Sequence, residues 1–145
     1  AKLGLAADKR YVAFDYWKNE LVGPFEGKLV RAVAGRSCVA LAVRAVQDRP
    51  MVISTSRHIT QGMVDLFDEK WDAAKRELSG VSRIVGGDAY ELRIVGGEWK
   101  AMSVDVSGGD AKAGEIVALP GLIRVKIESG KSGEVKWRAR FTNAK

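Results

Sequence analysis

The sequence has few of the residues on which most metal centres and many active sites depend. Its 145 residues include one cysteine, Cys38, and one histidine, His58, and neither has a second ligand at metal-binding spacing. A single cysteine excludes an internal disulfide. The sequence therefore predicts no metal site and no cofactor. Cys38 lies in an apolar segment, where we expect a small buried hydrophobic residue.

Long apolar runs and blocks of like charge are also absent. No stretch approaches the roughly 18 apolar residues that a membrane-spanning helix needs, so we expect no membrane span. The net charge is +6, but the basic residues stand singly among acidic ones. On the last predicted strands they occupy every second position, which is typical of the solvated face of a sheet. We therefore expect no nucleic-acid partner.

What the sequence does contain is alternation of apolar and polar residues between glycine turns, which predicts half-buried strands. The turns recur at the spacing of a sandwich. Residues 1–145 are therefore predicted to form a single all-β domain with an antiparallel β-sandwich fold. The predicted strands are Tyr11–Trp17, Lys28–Val33, Ser37–Val46, Met51–Ser54, Ser82–Val85, Ala89–Val95, Trp99–Val106, Glu115–Leu119, Leu122–Ile127 and Glu134–Phe141.

The segment 63–78 is open to two interpretations. Its apolar residues have loose helical spacing and its polar residues are good helix formers, which allows a short helical turn. It could equally be an extended hairpin, with a turn at Asp72–Lys75 joining Val64–Trp71 to Glu77–Val85. The β character of the neighbouring segments favours the hairpin. Its acidic residues lack the spacing of a calcium loop and indicate a solvated face. They are Asp65, Asp68, Glu69 and Asp72.

The most distinctive segment is Ser54–Gly62, which reads Ser-Thr-Ser-Arg-His-Ile-Thr-Gln-Gly. Along an extended strand Ser56 and His58 would lie about 6–7 Å apart, too far for the hydrogen bond of a catalytic triad. Buried polar groups nearly always find partners. We therefore expect the hydroxyls, Arg57 and Gln61 to satisfy backbone groups where the chain crosses between two sheets.

The four tryptophans bear on binding, because an exposed indole can stack on a sugar ring. Trp17 and Trp137 are expected to pack in the core or against a partner domain, whereas for Trp71 and Trp99 packing and exposure remain open. The predicted contact site for a carbohydrate or a neighbouring domain comprises Trp71, Trp99, Arg57, His58 and Gln61. The predicted core comprises Val12, Phe14, Val39, Leu41, Val43, Tyr90, Leu92, Ile94, Val104, Ile123, Val125, Ile127 and Trp137.

Several of these segments resemble the C-terminal β-sandwich of bacterial α-galactosidase-like (melibiase-like) glycoside hydrolases. The resemblance covers roughly Tyr11 to Ile94, and the remainder only by pattern. Its most specific part is Thr-Ser-Arg-His-Ile-Thr-Gln-Gly. The matching segments are Tyr11–Trp17, Ser37–Cys38 with Leu41–Arg44, Ser54–Gly62, Leu78–Arg83 and Tyr90–Ile94.

The resemblance implies a non-catalytic accessory domain. In such hydrolases the catalytic aspartates lie on an (α/β)₈ barrel that precedes the sandwich in the same polypeptide. This chain would then be the C-terminal fragment of a longer bacterial protein and would itself catalyse nothing; the sequence leaves its compartment open, with a secreted or periplasmic parent as one alternative. It would pack against the barrel and stabilise it. The alternative is a carbohydrate-binding module that uses exposed aromatic side chains.

Overall fold

The structure, a computed structural model, describes residues 4–143, which form eleven β-strands and no helix. The all-β prediction is confirmed. The strands are β1 (Arg10–Asp15), β2 (Glu20–Glu26), β3 (Leu41–Ala45), β4 (Met51–Thr55), β5 (Leu66–Asp72), β6 (Glu77–Ile84), β7 (Tyr90–Val95), β8 (Trp99–Ser107), β9 (Lys112–Leu119), β10 (Leu122–Glu128) and β11 (Gly133–Asn143).

The strands form three antiparallel sheets stacked as layers. The small sheet has the order β2-β1-β3, the middle sheet β4-β7-β10-β9 and the outer sheet β5-β6-β11-β8. Successive residues of a strand point to opposite faces, and β4 shows where each face packs. Val52 belongs to the cluster shared with the outer sheet, whereas Met51 and Ile53 belong to the cluster shared with the small sheet. The middle sheet is therefore covered on both faces.

The main core lies between the middle and outer sheets and is built around Trp137. The indole lies so close to β6 that a Cβ atom on Gly80 would be 2.6 Å from its Cζ2 atom. Glycine is therefore required opposite this tryptophan. Trp137 Nε1 donates a hydrogen bond to Ser82 Oγ at 3.0 Å, which satisfies its one polar atom. The core contains Val52, Leu78, Ile84, Tyr90, Leu92, Ile94, Ile123, Val125, Ile127, Val135, Trp137, Ala139 and Phe141.

Of the two interpretations of the segment 63–78, the hairpin is confirmed. Strands β5 and β6 pair antiparallel, with Trp71 opposite Leu78 and Asp72 opposite Glu77. The turn is closed by the Asp72 carboxylate, which accepts a hydrogen bond from the Lys75 backbone N–H at 3.0 Å. A helix in place of β5 would have left one edge of β6 without a hydrogen-bonding partner.

The predicted strand Lys28–Val33 is wrong, and β2 takes the place it would have occupied. Both edges of β1 are already paired, with β2 on one side and β3 on the other. Lys28–Val33 has no strand to join, and Val30 is 73% exposed. Strand β2 was not predicted because Gly23-Pro24 interrupts its apolar pattern. The proline is compatible with a strand here because β2 lies at the edge of its sheet.

One further expectation needs correction, because Cys38 is exposed rather than buried: residues 36–40 form a loop ahead of β3. Trp17 is 58% exposed, so of its two predicted positions the core is excluded, and packing against a partner domain stays a prediction. The other core predictions fare better, because all thirteen predicted core positions are buried or half-buried. The half-buried ones are Val39, Leu41, Val43 and Val104.

Candidate functional site

The segment after β4 crosses from the middle sheet to the outer sheet through a series of tight turns. The Gln61 backbone N–H donates to the His58 carbonyl at 2.8 Å, and the Leu66 N–H donates to the Gly62 carbonyl at 2.9 Å. Gln61 and Gly62 have φ angles of 55° and 105°, which lie in the left-handed region. Glycine at the second of these positions avoids the strain that a side chain would bring.

The polar side chains of this crossing mostly hydrogen-bond to backbone groups. Arg57 Nη1 donates to the Arg83 carbonyl oxygen at 2.6 Å. The buried Gln61 donates from Nε2 to the Ala40 carbonyl at 3.3 Å. Ser56 Oγ accepts from the Glu91 N–H at 2.8 Å. These bonds tie the crossing to all three sheets or to the loops beside them.

His58 makes a local contact. Its Nδ1 atom accepts a hydrogen bond from the Thr60 backbone N–H at 3.2 Å and lies 3.1 Å from Thr60 Oγ1. A nitrogen that accepts from a backbone N–H carries no proton, so the proton of the neutral ring is on Nε2. Within residues 4–143, His58 has no hydrogen bond to a serine or a carboxylate. The arrangement is that of a turn cap.

The structure does not bring the five predicted site residues together. Arg57 contacts β6 at Arg83, whereas Trp71 pairs with Leu78 near the other end of that strand. Five residues of strand separate the two positions by about 17 Å. Trp71 and Trp99 are half-buried and pack edge to face, with ring centroids 5.3 Å apart. They close one end of the main core.

A buried polar cluster that the sequence did not indicate anchors the end of the crossing. Asp65 was predicted to lie on a solvated face, but it is fully buried, and its Oδ2 accepts from the Tyr90 hydroxyl at 2.9 Å. Burial raises the pKa of Tyr90 well above its ordinary value, and the Asp65 charge adds to this. Glu69 is also not free in solvent, because Arg44 Nη1 binds its Oε2 at 2.8 Å.

A second binding feature is an apolar surface beside β3, the edge strand of the small sheet. Two grooves lie along it, one lined by residues 37–39 and the other by residues 40–44, among others. One, of about 460 Å³, is lined by Trp17, Val33 and Cys38. The other, of about 480 Å³, is lined by Leu41, Ile59 and Met63 among others. We call these six residues the edge surface.

The edge surface combines exposed apolar side chains with unpaired strand edges. Met63 is 84% exposed and Val33 53% exposed. Strand β3 is the last strand of the small sheet and β4 the last strand of the middle sheet, and both line the second groove. Free edges and apolar patches are features that soluble monomers usually cover. The sequence signal that could have located this surface was the aromatic pair Tyr16-Trp17 directly after β1.

Neither a metal site nor a membrane-spanning helix is found in the described part of the chain. Among residues 4–143, no three His, Cys, Asp or Glu side chains converge as a metal ion would require. No helix of sufficient length and hydrophobicity to cross a bilayer occurs over the same range.

Comparison with known proteins gives no match: no protein-family model, curated protein or solved structure matches this chain. The resemblance to α-galactosidase-like hydrolases accordingly remains a prediction from the residues.

Proposed function

We propose that this domain is a non-catalytic accessory module of an α-galactosidase-like glycoside hydrolase, and that it packs against the catalytic barrel through the edge surface. The observation that carries the proposal is the exposure of Met63 and Trp17 beside the open edges of β3 and β4. Burying such side chains contributes about 25 cal/mol per Å² of apolar surface. A neighbouring domain in the same polypeptide would cover this surface permanently.

The geometry of His58 supports the non-catalytic part of the proposal. A base that activates a serine must lie within hydrogen-bond reach of it and be oriented by a third group. His58 instead uses its Nδ1 to cap a turn at Thr60. Cleavage of a glycoside also needs two carboxylates flanking the bond, and the proposal places these on the barrel.

The test uses the protein encoded by the whole reading frame, which should contain a barrel pattern upstream of this domain. We expect Met63→Ser in that protein to lower the melting temperature of the barrel and to leave the isolated domain almost unchanged. Met102→Ser is the matched control, since Met102 is also exposed, at 66%, but lies on β8 in the outer sheet. Equal effects of the two changes would refute docking through the edge surface.

A second readout concerns activity. The isolated 145-residue chain should not hydrolyse aryl α-galactosides, whereas the full-length protein should. Turnover by the chain alone that survives repurification would overturn the accessory role. A reading frame without an upstream barrel would do the same.

The exposure of Trp17 favours carbohydrate binding as a second candidate function. Its ring is braced edge to face by Tyr16 at 5.1 Å between centroids, and Ser37 and Lys18 line the same groove. A fixed indole beside polar groups is suited to stacking on a sugar. Calorimetry with galacto-oligosaccharides would distinguish the two functions, because binding lost in Trp17→Ala but kept in Trp71→Ala would favour a carbohydrate-binding module.

A further inference from the structure

The solvent face of the outer sheet, in the layer farthest from the small sheet, carries a shallow groove of about 370 Å³. Its polar lining comes from all four strands of that sheet. We call it the outer-face groove, and its polar side chains are those of Asp68, Lys70, Ser79, Ser107, Lys136 and Arg138. None of these residues belongs to the edge surface, so the groove is independent of the proposed function.

The strand register places two cations on either side of one hydroxyl. Lys70 on β5 lies opposite Ser79 on β6, and Ser79 lies opposite Arg138 on β11. Neighbouring strands are about 4.8 Å apart, so the Cα atoms of the two cationic residues are separated by about 10 Å. Both side chains are long enough to converge above Ser79. Lys136 stands two residues from Arg138 on the same face and opposite Ser107.

These cations differ from the others on the same face because they have no counter-ion within the described range. Arg83 pairs with Glu134 at 3.1 Å, and Arg140 pairs with Glu77 at 3.4 Å. Lys70, Lys136 and Arg138 form no ion pair with any residue from 4 to 143, and the hydroxyls of Ser79 and Ser107 form no hydrogen bond there. The groove thus gathers three cations without an ion pair and two free hydroxyls around the Asp68 carboxylate. Asp105 lies opposite Arg138 in the strand register, but its carboxylate pairs with Arg140 at 3.9 Å.

We propose that the outer-face groove binds a single oxyanion group, a sulfate, phosphate or carboxylate carried on a larger molecule. The Arg138 fork can donate two parallel hydrogen bonds to such a group. Lys70 and Lys136 supply ammonium donors, and Ser79 supplies a hydroxyl donor at the floor of the groove.

The surroundings of the groove favour an isolated anion over a nucleic-acid strand. A phosphate backbone presents charges at regular intervals and needs a continuous basic track. Here the ion pairs Arg83–Glu134 and Arg140–Glu77 place carboxylates on both sides of the groove. The basic surface is therefore confined to the length of one anionic group.

An NMR titration of the chain with sodium sulfate, at an ionic strength held constant with sodium chloride, tests the proposal. We expect saturable shifts confined to the amides around Lys70, Ser79 and Arg138. Removing one charged donor in Arg138→Gln should weaken binding about tenfold. Lys112→Gln removes the same charge from the edge of the middle sheet and should change the dissociation constant by less than about twofold.

A change in the opposite direction makes the test sharper. Asp68 has a φ angle of 52°, a conformation that asparagine also adopts readily, so Asp68→Asn should fold normally. Removal of the Asp68 charge, which would repel a bound anion, should tighten sulfate binding about threefold. Nonspecific screening of a basic protein would not produce this pair of opposite effects.

Parallel titrations with inorganic phosphate, galacturonate and single-stranded DNA identify the source of the anion. Saturable binding of sulfate, phosphate or galacturonate that Arg138→Gln weakens supports the proposal, and the ligand that binds most tightly identifies the anionic group. Equal affinity in the parent and in Arg138→Gln, or shifts spread over every basic face, would overturn it. So would DNA that binds more tightly than sulfate. If Arg138→Gln loses its folded spectrum, Lys136→Gln takes its place.

Discussion

The two faces of the middle sheet are built from opposite chemistry, and β7 shows the division most clearly. Tyr90, Leu92 and Ile94 point towards the outer sheet and join a cluster of thirteen buried apolar residues. Glu91 and Arg93 alternate with them and point towards the small sheet, where the buried apolar cluster has five members. One strand thus supplies a dry interface on one side and a charged interface on the other.

The charged interface is organised around Arg93. Its Nε binds Glu91 at 2.9 Å, its Nη1 donates to Ser54 Oγ at 3.1 Å, and its guanidinium lies 4.6 Å above the ring of Phe14 in the small sheet. Glu91 also accepts from Arg124 at 3.2 Å. Buried ion pairs often add little net stability but fix a single arrangement. Apolar contacts therefore dominate the interface with the outer sheet, whereas hydrogen bonds and ion pairs of Arg93 position the small sheet.

The largest expected effect comes from the dry interface. Leu92→Ala removes a fully buried side chain and should lower the free energy of unfolding by about 2–5 kcal/mol. Urea melts measure this loss. Leu119→Ala is the control, because Leu119 is 45% exposed on β9 and its truncation should cost much less. A Leu92→Ala melt that matches the parent would contradict the assigned strand face.

At the charged interface, Arg93→Met should cost about 1–3 kcal/mol, because Ser54 and the Thr55 carbonyl lose a buried donor while methionine keeps the volume. Glu91 retains Arg124, which limits the loss. The same urea melts apply, with chemical shifts of β1 reporting how the small sheet is seated. An unchanged β1 spectrum would show that Arg93 does not position the small sheet.

A smaller, pH-dependent effect is expected at Asp15. Burial alone would raise its pKa, but hydrogen bonds from the Lys18 backbone N–H and from Arg31 outweigh burial and hold the pKa below its ordinary value. This carboxylate stabilises the fold above its unfolded-state pKa of about 3.9, and the contribution is lost as the pH falls through the lowered folded value. The stability gap between the parent and Asp15→Asn should therefore close between about pH 5 and pH 2. A gap that stays constant over that range would refute the linkage.

The smallest effect should come from His58→Gln. Glutamine keeps one donor and one acceptor, and the exposed turn cap to Thr60 is a single local interaction. We expect the free energy of unfolding to change by less than about 1 kcal/mol. A hydrolytic activity of the parent that disappears in this variant would contradict the structural role.

The dry interface was easier to predict from the sequence than the charged one, for a physical reason. Alternation of apolar and polar residues, as at Leu92 and Ile94, indicates burial directly. This pattern predicted most residues of the main core. Asp15, Asp65 and Arg93 follow no such rule, because a charged residue becomes buried only when distant partners converge on it. An alternating segment likewise becomes a strand only if a distant strand offers it a free edge. Lys28–Val33 is not a strand because both edges of β1 are already paired.

The small sheet has a consequence for the motions of the molecule. Its three strands are contiguous in the chain, whereas the middle and outer sheets interleave β4 to β11. A sheet whose strands follow one another in the chain and which buries few apolar groups can unfold locally while the other two sheets stay folded. Amide hydrogens of β1 and β3 should therefore exchange with solvent through a local opening, and those of β7, β10 and β11 only when the whole domain unfolds. A partner that binds at Trp17 and Met63 should therefore be detected first as slower exchange of the amide hydrogens of β1 and β3.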